Sequence, residues 1–514
     1  MADTNFPENR FSVSVRFFTD NGVILMQTFF FRTFRLFRLF IFSLFIGFTS
    51  FTGFISAASG QASWENEIIG LIENNRFSEA ADRLNSLNNL SGPEQTQKDW
   101  YFELMRRIRI EFPYDESEIK EQLAEAGFSN ESDQLRQWEE KKYLEMREID
   151  GKRCYFRMAV PNLCRLDQEL WNNRRITDME KARKEQRQQT AATIIKVSQG
   201  NGDLVLPKTG VFTYIVTVPA NKVPAGETIR FWAPFPRESS PRQQEVKLIS
   251  TDPEECQIAP ASDLQRCVYL EKTAVQDQPT VFKIVFQTTS YAQYFSQDYL
   301  LENVKPYPEN SEIVKAYTVE RFPHIIKSDV VKNWTKAIVG DETNPVKKVS
   351  LIFDAMKKRY PWASSNEYST MFCIPHYVLK NGHGDCGMFS LLLISALRCE
   401  GIPAKWQSGW ISSENGRCDL HDWLEVYYEG IGWVPIDISY GFIPSDDPAV
   451  YNFYKSGHDP YRLIINDEIS CPFTPNKKFF RSEPVDFQRG EIEWDGGNLY
   501  FPEWEYRMTV EFLN

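Results

Sequence analysis

Apolar residues recur at helical spacing soon after residue 64. Ile68, Ile69 and Ile72 are followed by Phe77, Ala80, Ala81, Leu84 and Leu87, which predicts packed helices to about residue 140. No sustained period runs through them, so a repeat array is unsupported. Asp150-Gly151 then separates two mixed polar and apolar runs, a two-residue turn signal that predicts a hairpin over 143–158. Residues 176–196 read as a helix whose Arg, Lys, Glu and Gln run forms a solvated face. From 211 the pattern shortens to β-branched and aromatic segments at 211–218, 228–232, 245–249 and 281–286, divided by Pro and Gly clusters as in a β-sandwich. Helical spacing returns at 345–360, where Val346, Val349, Ile352, Phe353 and Met356 share one face and Pro345 suits a first turn. The most apolar helix-length run is 388–397. Downstream, Val426 and Tyr428 alternate with Glu425 and Tyr427. Gly430 and Gly432 then turn the chain into Trp433-Val-Pro-Ile-Asp437, a strand pair.

Composition adds bounds to this pattern. The 514 residues, 42% hydrophobic and 25% charged, suit about three folded domains. A net charge of −12 without a basic cluster in the globular part argues against a nucleic-acid partner. Arg32, Arg35 and Arg38 precede an uncharged Phe-rich run, and Ser56-Ala57-Ala58 supplies small residues for cleavage. Residues 1–60 therefore read as a signal peptide, with Met26 as an alternative start, and predict export to the periplasm or the extracellular space. The only membrane association expected is through that segment. Nine cysteines in an exported chain invite disulfides, with Cys154/Cys164 and Cys256/Cys267 close enough in sequence to close short loops. No CxxC or His-x-x-x-His spacing occurs, so no metal and no cofactor is expected.

Candidate chemistry centres on Cys386 in Asn381-Gly-His-Gly-Asp-Cys-Gly, directly before the apolar run. That spacing sets the thiol at a helix start, where the backbone N–H groups and the helix dipole favour a thiolate. His421 and Asp437 follow on the expected strand pair, giving the inventory of a nucleophile, a base and an orienting carboxylate. Asp422, next to the histidine, is expected to face solvent by strand alternation or to act on the imidazole. His383 is expected to point to solvent, and His324, His376 and His458 to be structural or surface residues. The aromatic segment 362–377 has no regular period and suits a pocket wall.

Gly384-Asp-Cys-Gly, Ala396-Leu-Arg-Cys-Glu-Gly-Ile-Pro-Ala404, His421-x-Trp-x-Glu-Val-Tyr427 and Trp433-Val-Pro-Ile-Asp437 together resemble the core of the transglutaminase-like superfamily. The resemblance covers roughly 345–445. Trp232-Ala-Pro-Phe-Pro236 resembles a segment found ahead of bacterial members. The implied fold is α+β, a papain-like and transglutaminase-like catalytic core at 310–514. A β-sandwich-like domain at 205–305 and a mainly helical region at 61–200 precede it. The resemblance implies Cys386 as nucleophile, His421 as general base and acid, and Asp437 as orienter of the imidazole. An aromatic side chain upstream of the cysteine often helps bind the oxyanion in this superfamily, and Trp362 and Tyr368 are both candidates. The implied reaction is acyl transfer from an amide of a protein, peptide or cell-envelope substrate, with water as acceptor in a protease or amidase. An amine acceptor would make the protein a cross-linking transglutaminase. A non-catalytic binding or scaffold role for the same cleft is the further alternative.

Overall fold

The computed structural model describes residues 63–238 and 240–513. The signal segment expected over 1–60, and its alternative start, lie outside the described residues. The chain divides into two compact units, Met1–Val160 and Pro161–Asn514.

The described part of the first unit is helical. Ser63–Glu73, Phe77–Ser86, Gly92–Glu111, Glu116–Glu125 and Ser132–Glu140 bury Ile68, Ile72, Phe77, Leu84, Leu104, Ile119, Leu123 and Leu135. Two helix starts carry reciprocal caps, Ser91 with Glu94 and Asp115 with Glu118, which satisfy backbone donors that a helix start leaves open. The strands Met146–Ile149 and Lys152–Tyr155 pair across Asp150-Gly151. Both turn residues have positive φ, 50° and 78°, as a two-residue hairpin turn requires.

The second unit begins earlier than the change of pattern near residue 200 suggests. The helix Asp178–Ser198 buries Ala191 and Ile194 against Ala292, Tyr294, Val450 and Phe453, all in the second unit. Its apolar residues crowd into the last two turns, which is why a charged sequence still docks.

Two five-stranded sheets form the sandwich. One runs Gly457–His458, Thr280–Tyr294, Val205–Val218, Glu505–Phe512, with Gln243–Asp252 also on Thr280–Tyr294. The other runs Gly497–Leu499, Glu491–Trp494, Thr228–Pro234, Cys267–Thr273, Gln257–Ile258. Alternation sends Phe212, Tyr214, Val216, Phe282, Ile284 and Phe286 inward, against Phe231, Leu270 and Ile492 of the facing sheet. The strand patterns at 205–305 therefore supply only part of the sandwich. Four of its strands come from the segment expected to be wholly catalytic, 310–514, because each sheet needs them to complete its pairing.

The segment expected to carry the candidate site is built on a four-stranded antiparallel sheet ordered Gly432–Ile436, Cys418–Tyr428, Ala404–Ser412, Arg462–Asn466. The helix Cys386–Cys399 packs on it with every residue from Gly387 to Arg398 buried. That explains a helix apolar all round: the sheet and the helices Asp329–Val339, Pro345–Arg359 and Ile374–Asn381 enclose it. On Pro345–Arg359 the expected face, Val346, Val349, Ile352, Phe353 and Met356, is the buried one.

Trp410 joins core and sandwich. It projects from Ala404–Ser412 into the sandwich interior, with ring centroids 5.2 Å from Tyr214 and 5.8 Å from Phe286, and donates from Nε1 to the Gln488 carbonyl. Trp410→Ala is expected to destabilise the second unit by about 3–5 kcal/mol, the range for emptying a buried aromatic site. Chemical denaturation followed by tryptophan emission of the remaining indoles checks it, with Trp410→Phe expected to cost less.

Candidate active site

Cys386 is the first residue of its helix, and Asp385 is the cap, its carboxylate accepting from the Met388 N–H at 3.1 Å. Gly387 is required by close approach. A Cβ there would lie 2.2 Å from the Tyr368 hydroxyl and 2.7 Å from Asp422 Oδ2. The glycine lets the helix start press onto the strand Cys418–Tyr428, and this contact decides where the thiol goes.

The thiol of Cys386 is hydrogen-bonded to Asp422 Oδ2 at 3.3 Å. On the same strand, Leu424 and Val426 pack in the core with the helix Cys386–Cys399, so Asp422 belongs to the helix-facing side. Asp422 does not face solvent: it is 2% exposed. Alternation held, but the sheet is covered on both faces, so neither side of the strand is a wet one. Asp422 Oδ1 accepts from Gln488 Nε2 at 2.7 Å, and the same amide nitrogen bonds the His421 carbonyl at 2.7 Å.

Tyr368 stands between two carboxyl groups. Its hydroxyl donates to Asp385 Oδ1 at 2.6 Å and lies 3.4 Å from Asp422 Oδ2. Burial, and then the Asp385 and Asp422 charges, push the phenol well above its usual range. Burial pushes Asp385 up to about 6 and, with the Asp385 charge, drives Asp422 well above the carboxylate range. Burial and then the Asp422 and Asp385 charges raise the Cys386 thiol well above its usual value. The thiolate-favouring helix start expected from sequence is therefore outweighed. Helix-end effects are worth about 0.3–1 kcal/mol, and burial beside carboxylates exceeds that.

The other half of the site lies on the opposite face of the strand. His421 Nε2 bonds Asp437 Oδ2 at 2.7 Å, because the turn at 429–432 registers Leu424 opposite Ile436 and sets Asp437 just past the pairing. Asp437 Oδ1 accepts from the Tyr440 N–H at 2.9 Å, and the Tyr440 ring packs edge-on to His421 at 4.9 Å. The second imidazole nitrogen, Nδ1, makes no hydrogen bond among the described residues. Burial opposes ionisation of Asp437, but the His421 and Arg462 charges win and hold it well below the usual carboxylate range.

The structure thus brings His421 and Asp437 together and sets Cys386 against Asp422, the histidine's neighbour in sequence. Of the two aromatic candidates, Tyr368 reaches the Cys386 end. The Trp362 ring lies under the Arg165 guanidinium at 4.2 Å, and its backbone bridges Gly384, two residues before Cys386. His383 is buried edge-on to Tyr377 at 5.9 Å instead of pointing to solvent. His458 is fully buried beside Trp423, with Nδ1 3.1 Å from Arg242. The short-loop disulfides are not formed, and all nine cysteines are thiols. The Cys267 sulfur turns instead to the Thr474 carbonyl oxygen at 3.7 Å. Among the described residues, no group of three or more His, Cys, Asp or Glu is placed to hold a metal ion.

Two supporting residues escaped the sequence reading. Arg462, completely buried, donates from Nη2 to Asp437 Oδ2 at 2.5 Å and from Nη1 to Asp459. Gln488 braces Asp422 and the His421 backbone from a distant loop. That loop is fixed by Glu483, which accepts the Gln488 and Arg489 N–H groups, both at 2.7 Å. No motif marks either residue; each reaches the site through tertiary packing. Arg462→Met strands two buried carboxylates and is expected to cost about 3–5 kcal/mol of stability, the range for breaking a buried pair. Arg462→Lys, which keeps the charge, is expected to cost less, and urea unfolding compares them.

Residues 332–438 match the family model of the Transglutaminase-like superfamily, so the chain carries a transglutaminase-like core domain. It is 32% identical over 82 residues to the uncharacterised protein YebA of Bacillus subtilis (strain 168), covering 13% of this chain and 11% of that protein. An uncharacterised protein of Haemophilus influenzae (strain ATCC 51907 / DSM 11121 / KW20 / Rd) is 29% identical over 141 residues, covering 22% and 37%. The chain thus spans about a tenth and about a third of these relatives' lengths. Among solved structures, a candidate cysteine protease from Cytophaga hutchinsonii is similar over 61% of this chain and 93% of that one, with 14% identity and a TM-score of 0.41. The periplasmic domain of TgpA from Pseudomonas aeruginosa is similar over 48% and 91%, with 14% identity and a TM-score of 0.25.

Proposed function

We propose that this protein is a cysteine-nucleophile enzyme that transfers the acyl group of an amide, with water as the acceptor. The observation that carries the reading is the His421 Nε2 to Asp437 Oδ2 bond at 2.7 Å, an imidazole–carboxylate pair on the strand whose next residue, Asp422, holds the Cys386 thiol. In this reading substrate entry moves the helix start so that the thiol leaves Asp422, comes within reach of the His421 imidazole and passes its proton to Nδ1. The sulfur then bonds the carbonyl carbon, and the oxyanion is held by backbone N–H groups at the helix start. Imidazolium returns the proton to the departing amine as the C–N bond breaks. Water, deprotonated by His421, cleaves the thioester and restores the thiol. Asp437 fixes the tautomer, and Arg462 fixes Asp437.

The resting bond to Asp422 gives the thiol a low reactivity until substrate displaces it. The targeting pattern through Arg32, Arg35, Arg38 and Ser56-Ala57-Ala58 supports action outside the cytoplasm, in the periplasm or beyond, on protein, peptide or cell-envelope amides. No helix among the described residues is long and apolar enough to cross a membrane.

Turnover of a peptide pool with and without an added primary alkylamine tests the acceptor. Free acid as the main product in both mixtures is expected. An amine-capped product in excess would assign the cross-linking reaction instead. Peptide binding with no turnover in either mixture would assign the non-catalytic role.

A further inference from the structure

The helix Asp178–Ser198 is charged beyond what docking needs, and its charges are arranged. Arg183, Lys184 and Arg187 line a cleft whose other wall is Tyr440, Phe442, Ile443 and Pro444. Spacings of three and four residues put these cations on one helix face. All three are exposed, and none makes an ion pair with the described residues. Glu180, at the same cleft, is already engaged: its carboxylate caps the helix start through Thr177 at 2.8 Å and lies 3.7 Å from Arg174. The cleft is therefore locally cationic on a chain whose net charge is −12.

Its position matters as much as its charge. The Arg187 guanidinium sits 4.1 Å from the Tyr440 ring centroid, a cation–π contact that holds it at the cleft floor. His421 also packs on that ring, at 4.9 Å, and the Tyr440 N–H bonds Asp437. A single aromatic side chain separates the cationic cleft from the imidazole. Gln188 fixes the two walls by donating to the Pro444 carbonyl.

We propose that this cleft is a substrate subsite for a peptide bearing carboxylates, held by Arg183, Lys184 and Arg187 beside the catalytic histidine. Arginine forks bind carboxylates through paired, charge-assisted hydrogen bonds, and Phe442, Ile443 and Pro444 offer apolar surface to the peptide's carbon skeleton. The proposal rests on the acyl-transfer reading for its meaning as a substrate site, and its test does not require turnover.

The test uses the Cys386→Ala protein and fluorescein-labelled glutamate-rich and lysine-rich peptides, each with a free or an amidated C-terminus. Fluorescence anisotropy is expected to show binding of the glutamate-rich peptides, weakened at least tenfold by Arg183→Glu with Lys184→Glu and by raised salt. Arg187 is left in place in that variant, so the Tyr440 contact and the local fold stay intact; an unchanged unfolding midpoint verifies it. Equal binding of both glutamate peptides assigns the site to side-chain carboxylates, whereas binding only of free-acid peptides assigns it to the terminal carboxylate. Equal affinity for the amidated lysine-rich peptide, which has no carboxylate, or no loss in the charge-reversed variant, overturns the subsite. Neither result touches the mechanism, which fails only if Cys386 forms no acyl-enzyme.

Discussion

Replacing Cys386 by alanine is expected to lower amide turnover by at least about 10⁴-fold while leaving the fold intact, because loss of a covalent nucleophile removes the whole acylation route. The side chain is half-buried at the first turn of a helix whose packing is carried by residues 388–398, so its truncation removes one sulfur and no core contact of note. Cys386→Ser is the sharper variant. It keeps a hydroxyl near Asp422 but presents a far weaker nucleophile to the imidazole, and it is expected to fall by a comparable factor. Steady-state kinetics on the amide substrate, with unfolding midpoints measured in parallel, separates loss of chemistry from loss of structure.

Replacing Asp422 by asparagine is expected to raise the rate of Cys386 alkylation by iodoacetamide at neutral pH on the order of tenfold, since the rate follows the thiolate fraction. The sign follows from the surroundings. Burial raises the thiol first, and the carboxylates of Asp422 and Asp385 raise it further by opposing a second negative charge. Asparagine cannot ionise beside the thiolate, stays close in size, and offers an amide N–H to the sulfur in place of an acceptor. The alkylation profile therefore moves to lower pH. Asp385→Asn is expected to move it the same way by less, because Asp422 is the larger of the two electrostatic causes. A rate–pH profile for each protein, with the labelled residue located by peptide mass, checks both. An unshifted Asp422→Asn profile would mean that burial alone sets the thiol.

How much of this could be read from the sequence depends on how local each feature is. The helix face of Pro345–Arg359 and the pairing of His421 with Asp437 follow from periodicity and one turn, so both were legible. The inward path of Asp422 was not, because alternation tells which residues share a face but not what covers it. The helix Cys386–Cys399 covers that face, and its glycine lets the approach be close enough for the thiol to meet the carboxylate. Arg462 and Gln488 lie far along the chain and carry no motif, yet one fixes Asp437 and the other braces Asp422. The sandwich shows the same limit at larger scale. Its alternating strands at 205–305 were plain, but the pairing of Glu505–Phe512 with Val205–Val218 spans most of the second unit and needs the three-dimensional fold.

The resting arrangement also bears on mechanism. In the proposed mechanism a thiol held by a buried carboxyl and kept protonated is protected from adventitious reaction, and its activation waits on substrate entry. The proposed mechanism requires that this thiol, and no other nucleophile, take the acyl group. Intact-mass measurement of the protein after brief incubation with peptide and glycopeptide pools, quenched in acid to preserve thioesters, reads this directly. The expected result is a single added acyl mass that maps to Cys386 and is missing from the Cys386→Ala protein. An adduct of the same mass on the Cys386→Ala protein, or one mapped to another residue, would contradict the assignment of the nucleophile.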